Sequence, residues 1–344
     1  MLRAFTGIIL FISLCCISCS HRQQHITRSI YYWKTTFKPT TYEKQRLQSL
    51  ACRDMYIRLC DVDWNDNVQQ AVPVAPIHFF SALQKGIHYT PVVFITQRTL
   101  THLTAETSNL LATNINKYVQ EVCSTAQMHP TEIQIDCDWT AGTKHVYFNL
   151  LTQLKQQAFF KGKTLSATIR MHQVKYTARN GMPPADRGLL MCYNMGNMKK
   201  PGALNSILDV INTKDYTRNI STYPLPLDVA LPLFNWTLLF RNKQLKGILR
   251  DVDEESIKAN KVFQHKEANL YTCTADTFYN GYYLQSGDVL RVESVSSKDV
   301  AHIATYIAKR IGNDSFKIAL FHCDSLTLSK YSDDELEEIY HAGH

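Results

Sequence analysis

The sequence predicts a (β/α)8 TIM barrel, an α/β fold, with an α+β insertion between its seventh and eighth strands. Eight short β-rich runs alternate with helical stretches over roughly 320 residues, which is the element order of such a barrel. The hydrophobic fraction of 45% and the charged fraction of 19% are typical of a folded domain. No G-x-G-x-x-G or Walker loop follows the first strand, which disfavours a doubly wound open sheet.

The predicted strands are runs rich in β-branched, aromatic and aliphatic residues. In chain order they are Ser29–Phe37, Asp54–Trp64, Thr90–Thr96, Glu132–Trp139, Leu165–Val174, Gly188–Asn194, a strand within Leu227–Phe240, and Phe316–Cys323.

The predicted helices show apolar residues at three- and four-residue spacing or a capping pattern. They are Tyr42–Ala51, Ala105–Ala126, His145–Ala158, a turn or more at Asn205–Ile211, Ser297–Arg310, and Ser332–Tyr340 with Ser332 and Glu335 spaced as a capping box. A β-hairpin is predicted at Asn269–Glu293. We place it in an insertion at about 250–312, within a barrel loop, because the eighth strand must still follow.

The amino terminus predicts export. Arg3 precedes a short apolar core, Ile8–Leu14, which is too short to span a bilayer. The run that ends in Cys19 resembles a bacterial lipobox, so residues 1–19 are expected to be a lipoprotein signal with Cys19 acylated after cleavage behind Ser18. Cys16 stands where Leu is usual, and an ordinary signal peptide cut nearby is the alternative.

The resulting organisation is a signal at 1–19, a polar tether at 20–28 and a single barrel domain at 29–344. The expected location is the bacterial cell envelope, lipid-anchored on the periplasmic or outer-membrane surface. The net charge of +7 is spread along the chain without a basic run, so no nucleic-acid partner is expected.

Cysteine usage gives no disulfide framework. The ten Cys become eight after cleavage and seven once Cys19 is acylated, which is an odd number. Four of them lie in apolar strand-like runs and are expected to act as small hydrophobes, namely Cys60, Cys137, Cys192 and Cys323.

Two carboxylates end the fourth predicted strand. Alternation places Asp136 and Asp138 on one face and Cys137 on the other. Active sites of these barrels lie at the carboxyl ends of the strands, and buried carboxylates that lie close together raise each other's pKa. The pair therefore suits a general acid or an electrostatic stabiliser. A structural cap, in which both side chains accept bonds from the next loop, is the alternative.

These residues resemble family 18 glycoside hydrolases, the chitinase-like barrels. The signature D-x-x-D-x-D-x-E falls on Ile133, Asp136, Asp138 and Thr140, so its inner two positions match. Three further segments, in the family's order, resemble its other motifs across most of residues 29–325. They are the aromatic opening Ile30–Trp33, the M-x-Y-D-like Met191–Asn194 and the L-P-x-Y-G-like Leu231–Asn235.

The resemblance implies a glycan-binding cleft whose usual acid is missing. In active members the closing Glu protonates the leaving oxygen, and Thr140 cannot supply a proton at useful pH. The resemblance implies a role for three residues at matching positions. Asp138 is expected to contact a ring substituent, Asp136 to support Asp138, and Tyr193 to donate its hydroxyl to the sugar. These three are the candidate catalytic residues. Asn194 follows Tyr193 as a candidate substrate-binding residue.

Other strand ends supply further candidate substrate-binding residues. They are Asp61 and Asp63 on the second strand, Arg170 and His172 on the fifth, His322 and Asp324 on the eighth, and the aromatic residues Trp64, Trp139 and Trp236 near strand ends. An interior Arg170 needs an anionic partner, which Asp136 or Asp138 could provide as a structural ion network. Core packing is the alternative for each Trp.

No metal or cofactor is expected. A deacetylase-type site needs a close His pair, and here the pair is His341 and His344 at the terminus. Three functions therefore remain open: an envelope lipoprotein that binds carbohydrate without chitinase-type hydrolysis, an active glycosidase that uses another carboxylate as its acid, and a non-catalytic envelope scaffold.

Overall fold

The computed structural model describes residues 24–194, 196–202 and 204–342. Eight parallel strands form its main sheet. They are β1 (His25–Tyr32), β2 (Asp54–Asn65), β3 (His88–Ile95), β4 (Glu132–Cys137), β5 (Thr164–Arg170), β6 (Arg187–Met191), β7 (Leu227–Pro232) and β8 (Ser315–Phe321).

The sheet closes on itself. Each strand pairs in parallel with its neighbour in sequence, and β1 pairs with both β2 and β8, so that Ile30 lies opposite Met55 on one side and Leu320 on the other. A closed sheet of eight parallel strands with helices between them is a TIM barrel. The predicted fold class is therefore confirmed.

The helices cover the outside of the barrel and the loops at its ends. They are Thr41–Ser49, Gln97–His102, Ala105–Thr125, Lys144–Gln156, Met171–Lys175, Thr177–Asn180, Val210–Tyr216, Glu254–Lys258, Ser297–Ala308, Ser325–Leu328 and Asp333–Tyr340, with a 3-10 turn at Ile220–Thr222. Ser332 caps the last helix in the predicted box with Glu335. Within the described part of the chain, every helix is too short or too polar to span a bilayer.

Three element predictions differ most from the observed bounds. The predicted strand Ser29–Phe37 divides into β1, which ends at Tyr32, and a separate short strand, Thr36–Phe37. The predicted helix Asn205–Ile211 lies mostly in a loop, since the helix begins at Val210 behind its N-cap, Asp209. The predicted strand Leu165–Val174 ends at Arg170, where a helix begins. Gln173 ends the strand there, because its side chain accepts a hydrogen bond from the Arg170 backbone N–H at 2.7 Å.

The apolar run Leu227–Phe240 contains two strands with different destinations. The first is β7, which ends at Pro232, and the second leaves the barrel and opens an inserted antiparallel sheet. In spatial order the inserted strands are Gln244–Leu249, Trp236–Arg241, Val289–Glu293, Leu270–Cys273 and Phe263–Glu267. A separate hairpin of two short strands, Thr277–Tyr279 and Tyr282–Leu284, follows Leu270–Cys273 in the sequence and precedes Val289–Glu293.

The inserted sheet begins and ends earlier than the predicted insertion at about 250–312. It runs from Trp236 to Glu293. The helix Ser297–Ala308, which was expected to belong to the insertion, packs against the barrel core. The predicted hairpin Asn269–Glu293 is present as an antiparallel pair in which Leu270 lies opposite Arg291. Three further short strands lie outside the eight of the barrel. Gln70–Val74 pairs antiparallel with β2, and Thr36–Phe37 pairs in parallel with His78–Phe79.

The cysteines of the described residues are all buried and unpaired. They are Cys52, Cys60, Cys123, Cys137, Cys192, Cys273 and Cys323. Burial raises the pKa of the thiols of Cys52, Cys60 and Cys123 to about 12 in each case. The four cysteines predicted to act as small hydrophobes are thus confirmed in that role.

Ion pairs occupy the barrel interior at the amino ends of its strands. Lys317 contacts Asp54 at 2.8 Å and Glu132 at 3.0 Å. The buried carboxylate of Asp228 accepts two hydrogen bonds from Arg187, at 2.6 and 2.9 Å. This end of a TIM barrel serves stability rather than catalysis, so we assign these pairs a structural role.

Replacing Asp228 by asparagine is expected to lower the free energy of unfolding by about 2 kcal/mol, because charge-assisted bonds to Arg187 and to the Lys317 backbone N–H are weakened. Urea titration at pH 7 measures it. Glu121→Gln, which removes one partner of an exposed ion pair on a helix, is the control and should change the free energy of unfolding by less than about 0.5 kcal/mol. Equal effects of the two variants would contradict the structural role.

Candidate functional site

A cavity of about 410 Å³ opens at the carboxyl ends of the barrel strands. Its lining, called the mouth below, brings together side chains from all eight barrel strands or the segments that follow them. These are Trp33, Asp61, Phe94, Asp136, Asp138, Arg170, Met191, Tyr193, Asn194, Phe234, Trp236, Phe321 and His322. Eight of the thirteen predicted catalytic and substrate-binding residues therefore meet in one place.

Asp136 is the most buried carboxyl group of the mouth, with 3% of its surface exposed. Burial raises its pKa to about 6, while Arg170 and a 2.6 Å hydrogen bond from the Thr168 hydroxyl oppose that shift. Asp136 therefore changes its protonation state close to neutral pH.

Asp138 is paired with Arg170, whose Nε donates a hydrogen bond to Asp138 Oδ1. Burial alone would lower the pKa of the guanidinium, but the attraction of Asp138 outweighs burial and raises that pKa. The predicted anionic partner of Arg170 is therefore Asp138. No described residue accepts a hydrogen bond from the two terminal nitrogens of Arg170, which can therefore bind a ligand.

Tyr193 carries a buried hydroxyl that has no hydrogen-bond partner among the described residues, although only 4% of the residue is exposed. Its ring packs against Phe321 and Phe234, at 5.6 and 5.9 Å between centroids. An unsatisfied buried hydroxyl costs about 1–3 kcal/mol. A ligand in the mouth that hydrogen-bonds to Tyr193 would remove that cost.

Trp33 lines the mouth and was not among the predicted site residues. The guanidinium of Arg58 lies 5.7 Å from the centre of its ring, and Arg58 Nε donates to Asp61 at 2.7 Å. Phe94 and Phe321 contact the same ring. Trp33 closes the aromatic opening Ile30–Trp33, directly after the end of β1, and this position is the signal that could have identified it.

Trp236, at the start of the inserted sheet, also lines the mouth and packs against Phe234, with 5.3 Å between the ring centroids. Its indole N–H donates to Glu293 Oε2 at 3.0 Å, and the same oxygen accepts bonds from the backbone N–H and the hydroxyl of Ser206, at 2.6 Å each. The other oxygen of Glu293 accepts from Arg291 Nε at 2.6 Å. Arg291 and Glu293 are both fully buried.

A second groove, of about 560 Å³, adjoins the mouth and shares Phe234, Trp236 and His322 with it. It lies between the inserted sheet and the segment after β8, and it contains the predicted residue Asp324. The carboxylate of Asp324 contacts Lys34 at 3.0 Å, which lowers its pKa although burial opposes this. Burial lowers the pKa of His322.

Four predicted side chains lie outside both cavities and require correction. Trp139 is 1% exposed and stacks on Tyr147 at 5.2 Å, so it is a core residue rather than a sugar platform. Trp64 is likewise buried and stacks on His102.

Asp63 and His172 are the other two. Asp63 accepts a 2.7 Å bond from the Thr96 hydroxyl, and His172 lies on the short helix after β5, where burial lowers its pKa. Neither residue lines the mouth or the second groove. Strand alternation misplaced His172, because β5 ends two residues before it.

Thr140 stands outside the mouth lining. It is exposed, and its backbone N–H donates to Thr143 Oγ1 at 3.0 Å at the start of the next helix. Among the described residues that line the mouth, none is a glutamate. The described residues also contain no group of three or more His, Cys, Asp or Glu able to hold a metal ion. The predicted lipidation residue, Cys19, lies outside the described residues.

The fold is similar to those of solved chitinases. The chain superposes on a chitinase from Chromobacterium violaceum with a TM-score of 0.53 and 12% identity, covering 92% of this chain and 98% of that one. A Group IV chitinase from Ostrinia furnacalis gives 0.54 and 11%, covering 92% and 99%. The spore cortex-lytic enzyme SleL of Bacillus cereus gives 0.52 and 12%, covering 93% and 75%.

At this identity the similarity establishes the barrel fold alone. No protein-family model matches the sequence, and no curated protein matches it.

Proposed function

We propose that this chain is an envelope lipoprotein whose barrel binds an oligo- or polysaccharide at the mouth without chitinase-type hydrolysis. The observation that carries the proposal is the mouth itself: a row of contacting aromatic rings runs from Trp33 through Phe321 and Phe234 to Trp236. Beside this row lie polar groups that include the Tyr193 hydroxyl, which has no hydrogen-bond partner among the described residues. Aromatic rings pack on the apolar faces of sugars, and buried donors then bind hydroxyl or acetamido groups.

The shape of the mouth favours glycan binding over a purely structural platform. A scaffold that uses the barrel only as a support is expected to fill the mouth with its own side chains, whereas this cavity is open. Its mixture of aromatic and polar side chains is also typical of a ligand site rather than of a core.

The carboxyl groups of the mouth argue against the usual hydrolysis. Thr140 occupies the position of the proton donor in the resembling family and is not part of the lining. Asp138 is paired with Arg170, and Asp61 is paired with Arg58. Both carboxylates therefore already have a cationic partner when a ligand arrives. Asp138 is therefore less free to turn toward a substrate substituent.

One observation favours an active glycosidase as the second candidate. The pKa of Asp136, raised to about 6 by burial, suits a group that gives up and takes back a proton near neutral pH. Hydrolysis through Asp136 would require the glycosidic oxygen to come within hydrogen-bond reach of its buried carboxyl group.

Trp236→Ala is expected to weaken glycan binding about 30-fold, because a ring that forms a cavity wall contributes about 2 kcal/mol of binding free energy. Titration calorimetry against a panel of chitooligosaccharides, cello-oligosaccharides and peptidoglycan fragments measures it. Phe278→Ala is the matched control, since Phe278 is an exposed aromatic residue of the inserted hairpin outside both cavities.

Two outcomes would overturn the proposal. Absence of binding to every glycan in the panel removes the binding function. Release of new reducing ends by the purified protein, lost in Asp136→Ala or Asp138→Ala, replaces non-hydrolytic binding with the second candidate.

A further inference from the structure

Most of the positive surplus of the chain lies at one end of the barrel. The loops that lead into the amino ends of β2 to β8 span 50–53, 84–87, 126–131, 157–163, 181–186, 217–226 and 309–314. Together they contain seven Lys or Arg residues and only two Asp residues, a surplus of five positive charges in a chain whose total is +7. We call this surface the basic face.

The side chains of the basic face are largely free of acidic partners. Arg53, Lys85, Lys161, Lys309 and Arg310 are exposed, and none of them forms a salt bridge with an acidic residue of the described chain. Arg310 instead lies over the ring of Tyr306, at 3.8 Å from its centre. Their charges are therefore available to an anionic surface.

The opposite end of the barrel has no such surplus. The loops that follow the carboxyl ends of the strands span 33–40, 66–69, 138–143, 192–209 and 322–324, and they contain four Lys and four Asp residues. Charge is thus segregated between the two ends, which makes the basic face a distinct feature rather than a consequence of the net charge.

The described chain begins on the basic face. The side chain of Gln24 donates to the carbonyl of Asn313 at 3.1 Å, and the His25 backbone N–H donates to the carbonyl of Asp314 at 2.9 Å. Lys309 and Arg310 belong to this same loop. Gln24 lies five positions after Cys19, and an extended chain over that interval reaches at most about 18 Å.

We propose that the basic face docks on an anionic phospholipid surface and that the barrel mouth therefore points away from the membrane. The inference rests on the lipoprotein part of the proposed function, because an acyl chain at Cys19 holds the chain within about 18 Å of the bilayer. Two independent observations agree on this orientation: the position at which the chain enters the barrel and the location of the unpaired basic residues.

Electrostatics near a membrane makes the effect measurable. Each Lys or Arg close to an anionic leaflet strengthens association about fivefold. The attraction weakens as salt shortens the Debye length from about 10 Å at 0.1 M to about 3 Å at 1 M. Docking should therefore need both anionic lipid and low salt, whereas acyl anchoring needs neither.

Amine-labelling footprints of the acylated full-length protein on vesicles test the orientation. Vesicles of phosphatidylcholine with phosphatidylglycerol are compared with vesicles of phosphatidylcholine alone. On the anionic vesicles, Lys85, Lys161 and Lys309 should label several-fold more slowly, whereas Lys38 and Lys199, in loops at the mouth end, should label at unchanged rates. Salt at 1 M should abolish the protection.

A double charge reversal adds a second arm. Lys309→Glu with Arg310→Glu should remove protection at Lys85 and Lys161 and should weaken docking at least 25-fold. The matched control, Lys38→Glu with Lys199→Glu, should leave it intact. Equal labelling at both ends, protection strongest at Lys38 and Lys199, or a Cys19 peptide without an acyl group would each overturn the inference.

Glycan titration of the same preparation has a separate readout. A protein that binds glycan but shows no footprint refutes the docking and leaves glycan binding standing, and the reverse result refutes only glycan binding.

Discussion

Replacing Glu293 by glutamine is expected to lower the free energy of unfolding by about 4 kcal/mol, which is the size of effect seen when one partner of a buried ion pair is removed. Arg291 would keep its charge while fully buried. Glutamine preserves the shape of the side chain but replaces one acceptor oxygen by an NH2 group.

That amide group has no acceptable position. On one side it would face Arg291 Nε, and on the other it would face the donors of Ser206 and Trp236. Both arrangements place donor against donor. The variant should also loosen Trp236, so glycan affinity should fall together with stability.

Urea titration and glycan calorimetry at pH 7 measure the two effects. Glu267→Gln, at an exposed position of the same inserted sheet, is the control and should change stability by less than about 0.5 kcal/mol. If the two variants are equally stable, the buried pair does not support the inserted sheet in the way the structure indicates.

Replacing Asp136 by asparagine is expected to raise stability at pH 8 by about 3 kcal/mol. Burial raises the pKa of Asp136 from 3.8 to about 6, and each pKa unit corresponds to about 1.4 kcal/mol. Above pH 6 the native state must hold a buried carboxylate, whereas asparagine is neutral and keeps an oxygen that accepts the bond from Thr168.

The direction in which the contribution of Asp136 to stability changes with pH follows from proton binding. Between about pH 4 and pH 6 the native state holds more protons than the unfolded state, so the contribution of Asp136 to stability falls as pH rises through that range. The gain from Asp136→Asn should therefore be small at pH 4 and complete above about pH 6.

Urea titrations at pH 4, 6 and 8 measure this gain, with Asp66→Asn as an exposed control. A loss of stability in Asp136→Asn that is the same at every pH would show that the carboxylate is stabilised by its surroundings rather than strained by burial.

The barrel was predictable because each of its strands is a compact apolar run followed by polar residues. Asp136 and Asp138 reach the mouth because strand alternation and the position of parallel strand ends are local rules. Arg170 needed an anion, and Asp138 is the one it contacts.

The errors in the site arise where tertiary contacts override the local pattern. Trp139 continues the fourth run in sequence, but the chain turns after Cys137 and buries its ring on Tyr147. The run Leu227–Phe240 is uniformly apolar, and only the pairing of Trp236 with Glu293 in another sheet separates it into two strands. The support of Trp236 by Glu293 joins residues 57 positions apart, which no local pattern reveals.

The seven sheltered thiols have a consequence for biogenesis. In the native molecule they are shielded and protonated, so oxidants reach them slowly. An unfolded copy offers all seven at once, and in an oxidising compartment it would become trapped by wrongly paired disulfides. If the chain is exported as we propose, the barrel must therefore fold before its thiols are oxidised.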